Sequence, residues 1–324
     1  MTEMMKAGVA TSDGLDLREV ARPVPSAEQV LVRVAAAGMN RADRMAEKGH
    51  YGGKDSLGRP IGMEWAGEVV EVGSAVTGFR PGDLVMTSGL GGFAEYAVSD
   101  HGRTIKIGDL DPVRAAGQPM ALLTAHDAVV TNGRLSAGEA VLVQGASSAI
   151  GLMSMQIARL FGAKTIVGTS SNEARRARLA EFGATMSVDA RSDGWVEQVL
   201  DGTGGKGVDL VVDMVSGDLM NQTMLATAMK GRIVNVGRLG GTNAEFDFNL
   251  HALRRIDYIG VTFRTRSISE IREIVRLADG ALGARLRAGE LLLPVDRTFT
   301  LSEAKEALDY MSADKHFGKL VIVP

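Results

Sequence analysis

The stretch AVLVQGASSAIGLMSMQIARLFGAKTIVGTSS, residues 140–171, carries the clearest structural signal in the chain. A short apolar run leads into a glycine-containing turn, a helical pattern over 149–161 and a second apolar run over 164–169. A strand that turns tightly into a helix presents backbone N–H groups and the positive end of the helix dipole to a diphosphate. We therefore predict a dinucleotide-binding loop here, with an ordinary tight turn as the alternative. The predicted contacts are Gly145, Ser147, Ser148, Ala149, Ile150 and Gly151.

The segments that follow this loop continue the alternation of strands and helices. Further apolar runs predict strands, and helical patterns lie near 268–281 and 302–312. The predicted strands are 185–189, 208–215, 232–237, 257–263 and 319–323. This alternation predicts an α/β fold with a doubly wound parallel sheet.

The first 119 residues have a different character. They hold six of the eight prolines, and short β-type runs at 30–38, 66–73, 83–86 and 93–98 are separated by turn residues. Proline is poorly tolerated inside helices and central strands. A small, partly closed β-rich domain is therefore expected before the wound sheet.

The end of the second predicted strand indicates which nucleotide binds. A site for NAD usually places Asp or Glu about 20 residues beyond the loop, on the ribose 2′-hydroxyl. Here that place reads Gly168, Thr169, Ser170 and Ser171, and Arg175 follows. Hydroxyl and guanidinium groups suit a dianionic 2′-phosphate. We expect NADPH as the cofactor, bound by Thr169, Ser170, Ser171 and Arg175, and we expect the neighbouring Arg176 to lie on a solvated helix face.

Composition excludes several other classes of protein. The net charge of −3 gives no basic footprint for nucleic acid or an anionic membrane, and no apolar run approaches the ~18 residues of a membrane span. The amino terminus lacks the apolar core of a signal peptide. Cysteine is absent, which excludes disulfides and thiolate nucleophiles. The expectation is a cytoplasmic enzyme acting on a small molecule, with neither nucleic acid nor membrane as partner.

Seven segments in this order and spacing resemble the zinc-independent quinone oxidoreductases of the medium-chain dehydrogenase/reductase superfamily. The nearest resemblance is to the subgroup that contains the tumour-suppressor-inducible quinone oxidoreductase. The segments are MNRADRMAEKGHY (39–51), GMEWAGEVVEVG (62–73), GDLVM…GGFAEYA (82–97), LLTAHDAV (122–129), the loop at 145–151, FRTRS (263–267) and HFGKLVI (316–322).

The resemblance implies a GroES-like β-rich domain, residues 1–121 and 264–324, interrupted by a Rossmann domain, residues 122–263, that binds NADPH. It implies that Asn40, Tyr51 and Asp43 act at the catalytic end, with Asn40 also a contact to the nicotinamide. The further cofactor contacts it implies are Thr124, Val236, Gly237, Arg238, Phe263, Arg264 and Lys319.

Two departures from the zinc alcohol dehydrogenases of this superfamily bear on the chemistry. Those enzymes carry Cys where Gly38 and Met39 stand, and His where Met63 stands in Gly62-Met63-Glu64. Without these ligands a tetrahedral zinc site with three protein ligands cannot be assembled, so no metal is expected.

Three functions remain open on these residues. The first is hydride transfer from NADPH to a quinone without a metal. The second is NADPH-dependent reduction of the C=C bond of an enone, enal or acyl thioester, and the third is nucleotide binding without turnover. A short-chain dehydrogenase is rejected, because its Tyr-x-x-x-Lys pair is absent: none of Tyr51, Tyr96, Tyr258 or Tyr310 has Lys four residues later.

The run DYIGVTF, residues 257–263, is the last predicted strand of the wound domain and therefore its expected edge. It is apolar and carries neither proline nor lysine. An open edge of this kind is usually paired or covered. We expect a homodimer in which this strand pairs with its two-fold mate, and a monomer with the edge covered by the helix near 268–281 as the alternative.

Overall fold

A computed structural model describes residues 3–49, 57–291 and 293–324. The chain divides into two compact units: unit 1 is Met1–Ala121 with Arg266–Pro324, and unit 2 is Leu122–Thr265. The sequence-based division, after residues 121 and 263, lies within two residues of these limits.

Strands and helices alternate through the middle of the chain, while strands dominate its first third. In the described residues the strands are β1 Met4–Thr11, β2 Gly14–Ala21, β3 Gln29–Gly38, β4 Glu64–Val72, β5 Leu84–Ser88, β6 Tyr96–Asp100, β7 Thr104–Lys106, β8 Ala140–Gln144, β9 Thr165–Thr169, β10 Met186–Val188, β11 Val208–Asp213, β12 Thr227–Asn235, β13 Asp257–Gly260, β14 Val295–Thr300 and β15 Lys319–Val323. The α-helices are α1 Arg41–Glu47, α2 Pro112–Ala116, α3 Pro119–His126, α4 Ala149–Leu160, α5 Glu173–Ala177, α6 Trp195–Gly202, α7 Met220–Ala226, α8 Phe248–Arg254, α9 Ile268–Arg287 and α10 Ala304–Ser312.

Unit 2 is built on a six-stranded sheet with the order β10-β9-β8-β11-β12-β13. Every neighbouring pair is parallel. The central strands are fully buried, since Val141, Leu142 and Val143 of β8 have no exposed surface. Continuous apolar runs of this kind are typical of strands covered on both faces. The predicted doubly wound parallel sheet, and with it the α/β fold class, is confirmed.

Two strands of this sheet differ most in length from the sequence-based prediction. β12 begins at Thr227, five residues before the predicted start at 232. β13 ends at Gly260 rather than at residue 263. It is nevertheless an edge strand, as expected. The predicted alternation of faces through Val261 and Phe263 is therefore wrong beyond Gly260.

Unit 1 is the β-rich part. Its main sheet has the order β14-β15-β3-β4-β5-β7, β6 pairs with β3, and β1 with β2 forms a separate antiparallel hairpin. Phe299, Leu308 and Ile322 from the carboxy-terminal stretch share one buried cluster with Val32 and Trp65. The carboxy-terminal stretch thus completes the core of unit 1, as the implied GroES-like architecture requires.

Helix α9 is longer than the helix expected over 268–281. Ser267 and Glu270 form a capping box at its start. Within unit 1, Arg272 on this helix makes two hydrogen bonds, 2.9 and 2.6 Å long, to the carboxylate of Asp100. Across 3–49, 57–291 and 293–324, the structure contains no helix with the length and apolar character of a membrane span.

Candidate active site

The loop between β8 and α4 is shaped by local hydrogen bonds. Ser148 is the N-cap of α4, and its hydroxyl accepts a 3.1 Å hydrogen bond from the N–H of Gly151. Gly145 has φ of +73°, and a Cβ at Gly151 would lie 2.6 Å from the Cα of Ala146. These two glycines therefore allow the tight turn, and the first N–H groups of α4, from Ala149 onward, have no partner within the helix.

Thr169, at the end of β9, supports this loop. Its hydroxyl accepts a 3.0 Å hydrogen bond from the N–H of Gly145 and donates a 2.8 Å bond to the side-chain oxygen of Gln144. The hydroxyl of Thr169, which is predicted to contact the cofactor, thus makes two hydrogen bonds that fix the loop and keeps one lone pair. The next hydroxyl, that of Ser170, lies 3.2 Å from that of Ser147 and joins the end of β9 to the loop.

Guanidinium groups gather around the residues that follow β9. Arg176 donates a 2.8 Å hydrogen bond to the carbonyl of Ser170, and Arg191 donates a 2.9 Å bond to the carbonyl of Ser171. Both arginines also pair with the carboxylate of Asp189, at 3.6 Å in each case. The expectation that Arg176 lies on a solvated face is wrong, because its side chain is 25% exposed and folds back onto Ser170.

Sequence reasoning missed Arg191 as a member of this cluster, while Arg175, the predicted contact, is half-buried on the adjacent short helix α5. Arg191 follows β10, the strand beside β9. The carboxyl ends of parallel strands share one edge of the sheet, so a residue just after β10 is expected near the end of β9. The position of Arg191 directly after the predicted strand was therefore the signal that could have identified this residue.

A second polar group lies at the ends of β11 and β12. The carbonyl of Asp213 accepts hydrogen bonds from the N–H groups of Val236 and Gly237, at 2.8 and 3.0 Å. The Asp213 carboxylate accepts from the backbone of Ser216 at 2.9 Å, and the Ser216 hydroxyl also contacts the side chain of Asn235. Burial raises the pKa of Asp213. This network fixes the turn at Val236 and Gly237, where the second half of a dinucleotide is expected.

The remaining predicted residues of unit 2 are more dispersed. Thr124 is buried in α3, whereas Arg238 is exposed beyond β12. Phe263 is half-buried and Arg264 exposed in the segment after β13.

Unit 1 contains a buried polar centre. The ammonium of Lys319 forms an ion pair with the carboxylate of Glu64, and both side chains are almost fully buried, 3% and 0% exposed. Lys319 also donates to the carbonyl of Met39, at 2.7 Å, and to the amide oxygen of Asn40, at 3.0 Å. The amide nitrogen of Asn40 donates a 2.9 Å hydrogen bond to the same carboxylate of Glu64. The structure thus brings the predicted residues Asn40 and Lys319 together around Glu64, which sequence reasoning did not propose as a functional residue.

Lys319 is predicted to reach a phosphate of the cofactor, and in the structure its ammonium group is engaged inside unit 1. Its ammonium group has three protons, and three acceptors inside unit 1 take them. Transferring it to a phosphate would leave the Glu64 carboxylate buried without its partner.

Asp43 lies next to this centre, on α1. One carboxylate oxygen accepts a 2.7 Å hydrogen bond from the backbone N–H of Asn40, which closes the capping box of α1. The other oxygen, Oδ1, has no hydrogen-bond partner among the described residues. Burial raises the pKa of Asp43 to about 7, although the nearby Lys319 acts in the opposite direction. Asp43 can therefore exchange a proton near neutral pH.

Tyr51, the third predicted catalytic residue, lies outside the described residues. Within the described ranges, no group of three or more His, Asp and Glu side chains is arranged to hold a metal ion.

The donor set of unit 2 fits a dinucleotide phosphate. A Cβ at Gly237 would come within 2.7 Å of the Met214 carbonyl, so only glycine allows the close approach of these two turns. The α4 N-terminus offers backbone donors for a diphosphate, and the arginine cluster offers positive charge. The chain thus provides hydrogen-bond donors and cations suited to phosphate groups.

Comparison with known proteins agrees with the fold. The family model "Alcohol dehydrogenase GroES-like domain" matches residues 26–109, and the model "Zinc-binding dehydrogenase" matches residues 149–280. The chain is 30% identical to the human quinone oxidoreductase over 292 residues, which cover 89% of this chain and 87% of that protein.

Two further relatives extend this comparison. The chain is 32% identical over 320 residues, 96% of its length, to a phenolphthiocerol/phthiocerol polyketide synthase of Mycobacterium tuberculosis, but it spans only 14% of that much longer protein. The crystal structure of a probable oxidoreductase from Mycobacterium abscessus superposes with a TM-score of 0.88 at 29% identity, covering both chains completely.

The parallel six-stranded sheet, the β-rich unit completed by the carboxy-terminal stretch and these matches lead to one assignment. The chain belongs to the medium-chain dehydrogenase/reductase superfamily of oxidoreductases.

Proposed function

We propose that this protein is an NADPH:quinone oxidoreductase that transfers hydride without a metal, in the subgroup of the tumour-suppressor-inducible quinone oxidoreductase. The observation that carries the choice of NADPH is the cluster of Arg176 and Arg191 on the carbonyls of Ser170 and Ser171. No carboxylate occupies the end of β9, where an NAD site places one. Guanidinium groups suit the charge and geometry of a phosphate.

Metal independence is supported by the composition of the unit 1 centre. The chain has no cysteine, and Met63 precedes Glu64 where a histidine ligand is needed. The Glu64 carboxylate is already neutralised by the ammonium of Lys319. The name of the matching family model refers to zinc, so the proposal sets this chain apart from the zinc-binding members.

The chemistry assigned to the chain is positioning and proton supply. Bound NADPH supplies the hydride. A quinone accepts hydride readily because the developing negative charge is delocalised, so orientation contributes more than a Lewis acid. Asn40 offers amide hydrogen bonds at the nicotinamide, while Tyr51 and Asp43 are the proton donors we assign.

Reduction of a C=C bond in an enone, enal or acyl thioester is the second candidate. The 32% identity to a segment of a polyketide synthase favours it. Both reactions use hydride from the same cofactor, so the residues described above serve either acceptor.

Acceptor-dependent oxidation of NADPH tests the proposal. The purified protein is mixed with NADPH alone, with 1,4-benzoquinone and with 2-cyclohexen-1-one. Faster turnover of the quinone supports the first candidate, and faster turnover of the enone supports the second. No acceptor-dependent oxidation, despite NADPH binding, would favour a nucleotide-binding protein without turnover.

A further inference from the structure

The side-chain amide of Asn40 lies between two buried opposite charges. Its oxygen accepts from the ammonium of Lys319 at 3.0 Å, and its nitrogen donates to the carboxylate of Glu64 at 2.9 Å. Rotating the amide by half a turn would place the oxygen against the carboxylate and the NH₂ group against the ammonium. Both contacts would be repulsive, and their cost is large where water is excluded.

We infer that Lys319 and Glu64 are positioning residues that fix the amide of Asn40 in one orientation for the reaction. This inference rests on the proposed function for the role of Asn40, but the orientation itself follows from the contacts alone. One N–H is given to Glu64, and the oxygen faces both Lys319 and the backbone N–H of Asp43 in the capping box of α1, so the amide keeps one N–H for a ligand. A ligand therefore meets a fixed donor.

Neighbouring backbone holds the ion pair in place. The second oxygen of Glu64 accepts a 2.7 Å hydrogen bond from the N–H of Met120. A Cβ at Gly38 would lie 2.6 Å from the Glu64 carboxylate, and one at Gly117 would lie 3.0 Å from the Cγ of Lys319. The two glycines therefore leave the space that the pair fills, and any larger residue there would displace it.

Variants that remove the charges of Lys319 and Glu64 distinguish a positioning role of this pair from a purely structural one. Lys319→Met leaves the Glu64 charge buried without a partner, so we expect a strong fall in the thermal midpoint. Lys319→Met combined with Glu64→Gln removes both charges and should recover most of that loss. The amide of Asn40 then lacks its charged partners, and we expect kcat to stay roughly tenfold or more below wild type with little change in the dissociation constant of NADPH.

The matched control is the pair of Arg232 and Glu139 in unit 2, joined by hydrogen bonds of 2.9 and 2.7 Å. Arg232→Met with Glu139→Gln should leave kcat within twofold of wild type. If the Lys319→Met, Glu64→Gln variant also turns over within twofold of wild type, the pair is only structural and the inference is wrong.

A nuclear magnetic resonance measurement tests the inference independently of enzyme activity. In protein with ¹⁵N-labelled asparagine, the two side-chain N–H signals of Asn40, assigned by their loss in Asn40→Ser, should be sharp and well separated. In the double variant they should shift and broaden. Unchanged signals would overturn the inference, whereas absent turnover in the wild type with the expected signals would count against the proposed function only.

Discussion

At the scale of single residues, Asp43 is the group whose charge is most affected by the fold. Burial raises its pKa to about 7, so the folded state holds a proton that the unfolded chain releases near pH 4. The contribution of Asp43 to the free energy of unfolding is therefore fully present below pH 4 and is lost as the pH rises through 7. His126, whose pKa is lowered by burial, acts in the opposite direction.

Asp43→Asn should remove this dependence, because asparagine keeps an oxygen for the N–H of Asn40 and carries no charge. Between pH 5 and pH 8 we expect wild type to lose about 2.5 kcal/mol more unfolding free energy than the variant. Urea unfolding of both proteins at the two pH values measures the difference. Parallel changes in the two proteins would show that Asp43 is charged throughout this range.

The arginine cluster should decide between the two nucleotides. We expect NADPH to bind at least roughly tenfold more tightly than NADH, about 1.4 kcal/mol. Arg191→Ala and Arg175→Ala should each weaken NADPH while leaving NADH nearly unchanged, as followed by cofactor fluorescence. Arg178→Ala is the matched control, since Arg178 pairs with Glu181 on an exposed face. Equal dissociation constants for the two nucleotides in wild type would contradict the assignment of NADPH.

These residues also show where sequence reasoning succeeds and where it fails. The loop around Gly145 and Ser148 could be predicted, because its signal is local: a strand, a turn and a helix start. Arg191 and Glu64 could not, because each acquires its role through residues distant in the chain. Lys319 was assigned to the cofactor, since a sequence does not reveal that three acceptors within unit 1 take its protons.

At the scale of elements, the edge strand β13 remains our proposed dimer contact. Helix α8, just before it, exposes Phe248 and Leu253, 77% and 65% of their surface. Tyr258 on the strand itself is 45% exposed. Apolar surface of this kind beside an open edge favours pairing with a second copy of the chain.

Proline substitution on β13 tests the dimer, and the backbone dictates the position. Val261 donates its N–H inward, to the carbonyl of Asn235 on β12 at 3.0 Å. Successive residues of a strand direct their N–H groups to opposite sides, so the N–H of Gly260 points to the open edge. A side chain at Gly260 would meet nothing within 4 Å. Gly260→Pro should therefore yield a folded monomer of 34.2 kDa from a species of twice that mass.

Val261→Pro is the matched control, because it removes a bond within the sheet and should lower the thermal midpoint of unit 2. Light scattering at micromolar concentration measures the mass. A wild-type protein that is monomeric under these conditions would contradict the dimer.

The elements themselves were largely predictable, and their ends less so. Buried parallel strands such as β8 and β11 stand out as apolar runs. The predicted strand at 257–263 is longer than β13, because Val261 and Phe263 continue the apolar pattern although strand pairing ends at Gly260. The hairpin of β1 and β2 was missed, since residues such as Glu19 and Arg18 give it little apolar alternation.

At the scale of the whole molecule, two separately built units contribute to one proposed activity. Unit 2 offers hydrogen-bond donors and guanidinium groups for a dinucleotide phosphate. Unit 1 offers a buried centre in which an ammonium group, rather than a metal, balances a carboxylate. Our central claim is that this centre supports hydride transfer from NADPH with no metal ion present.

The most direct test is the rate of NADPH oxidation with 1,4-benzoquinone after exhaustive chelation, with the metal content measured by mass spectrometry on the same sample. We predict that the chelated, zinc-free protein retains the full rate and that added zinc does not increase it. A rate that disappears on chelation and returns with zinc would contradict this claim.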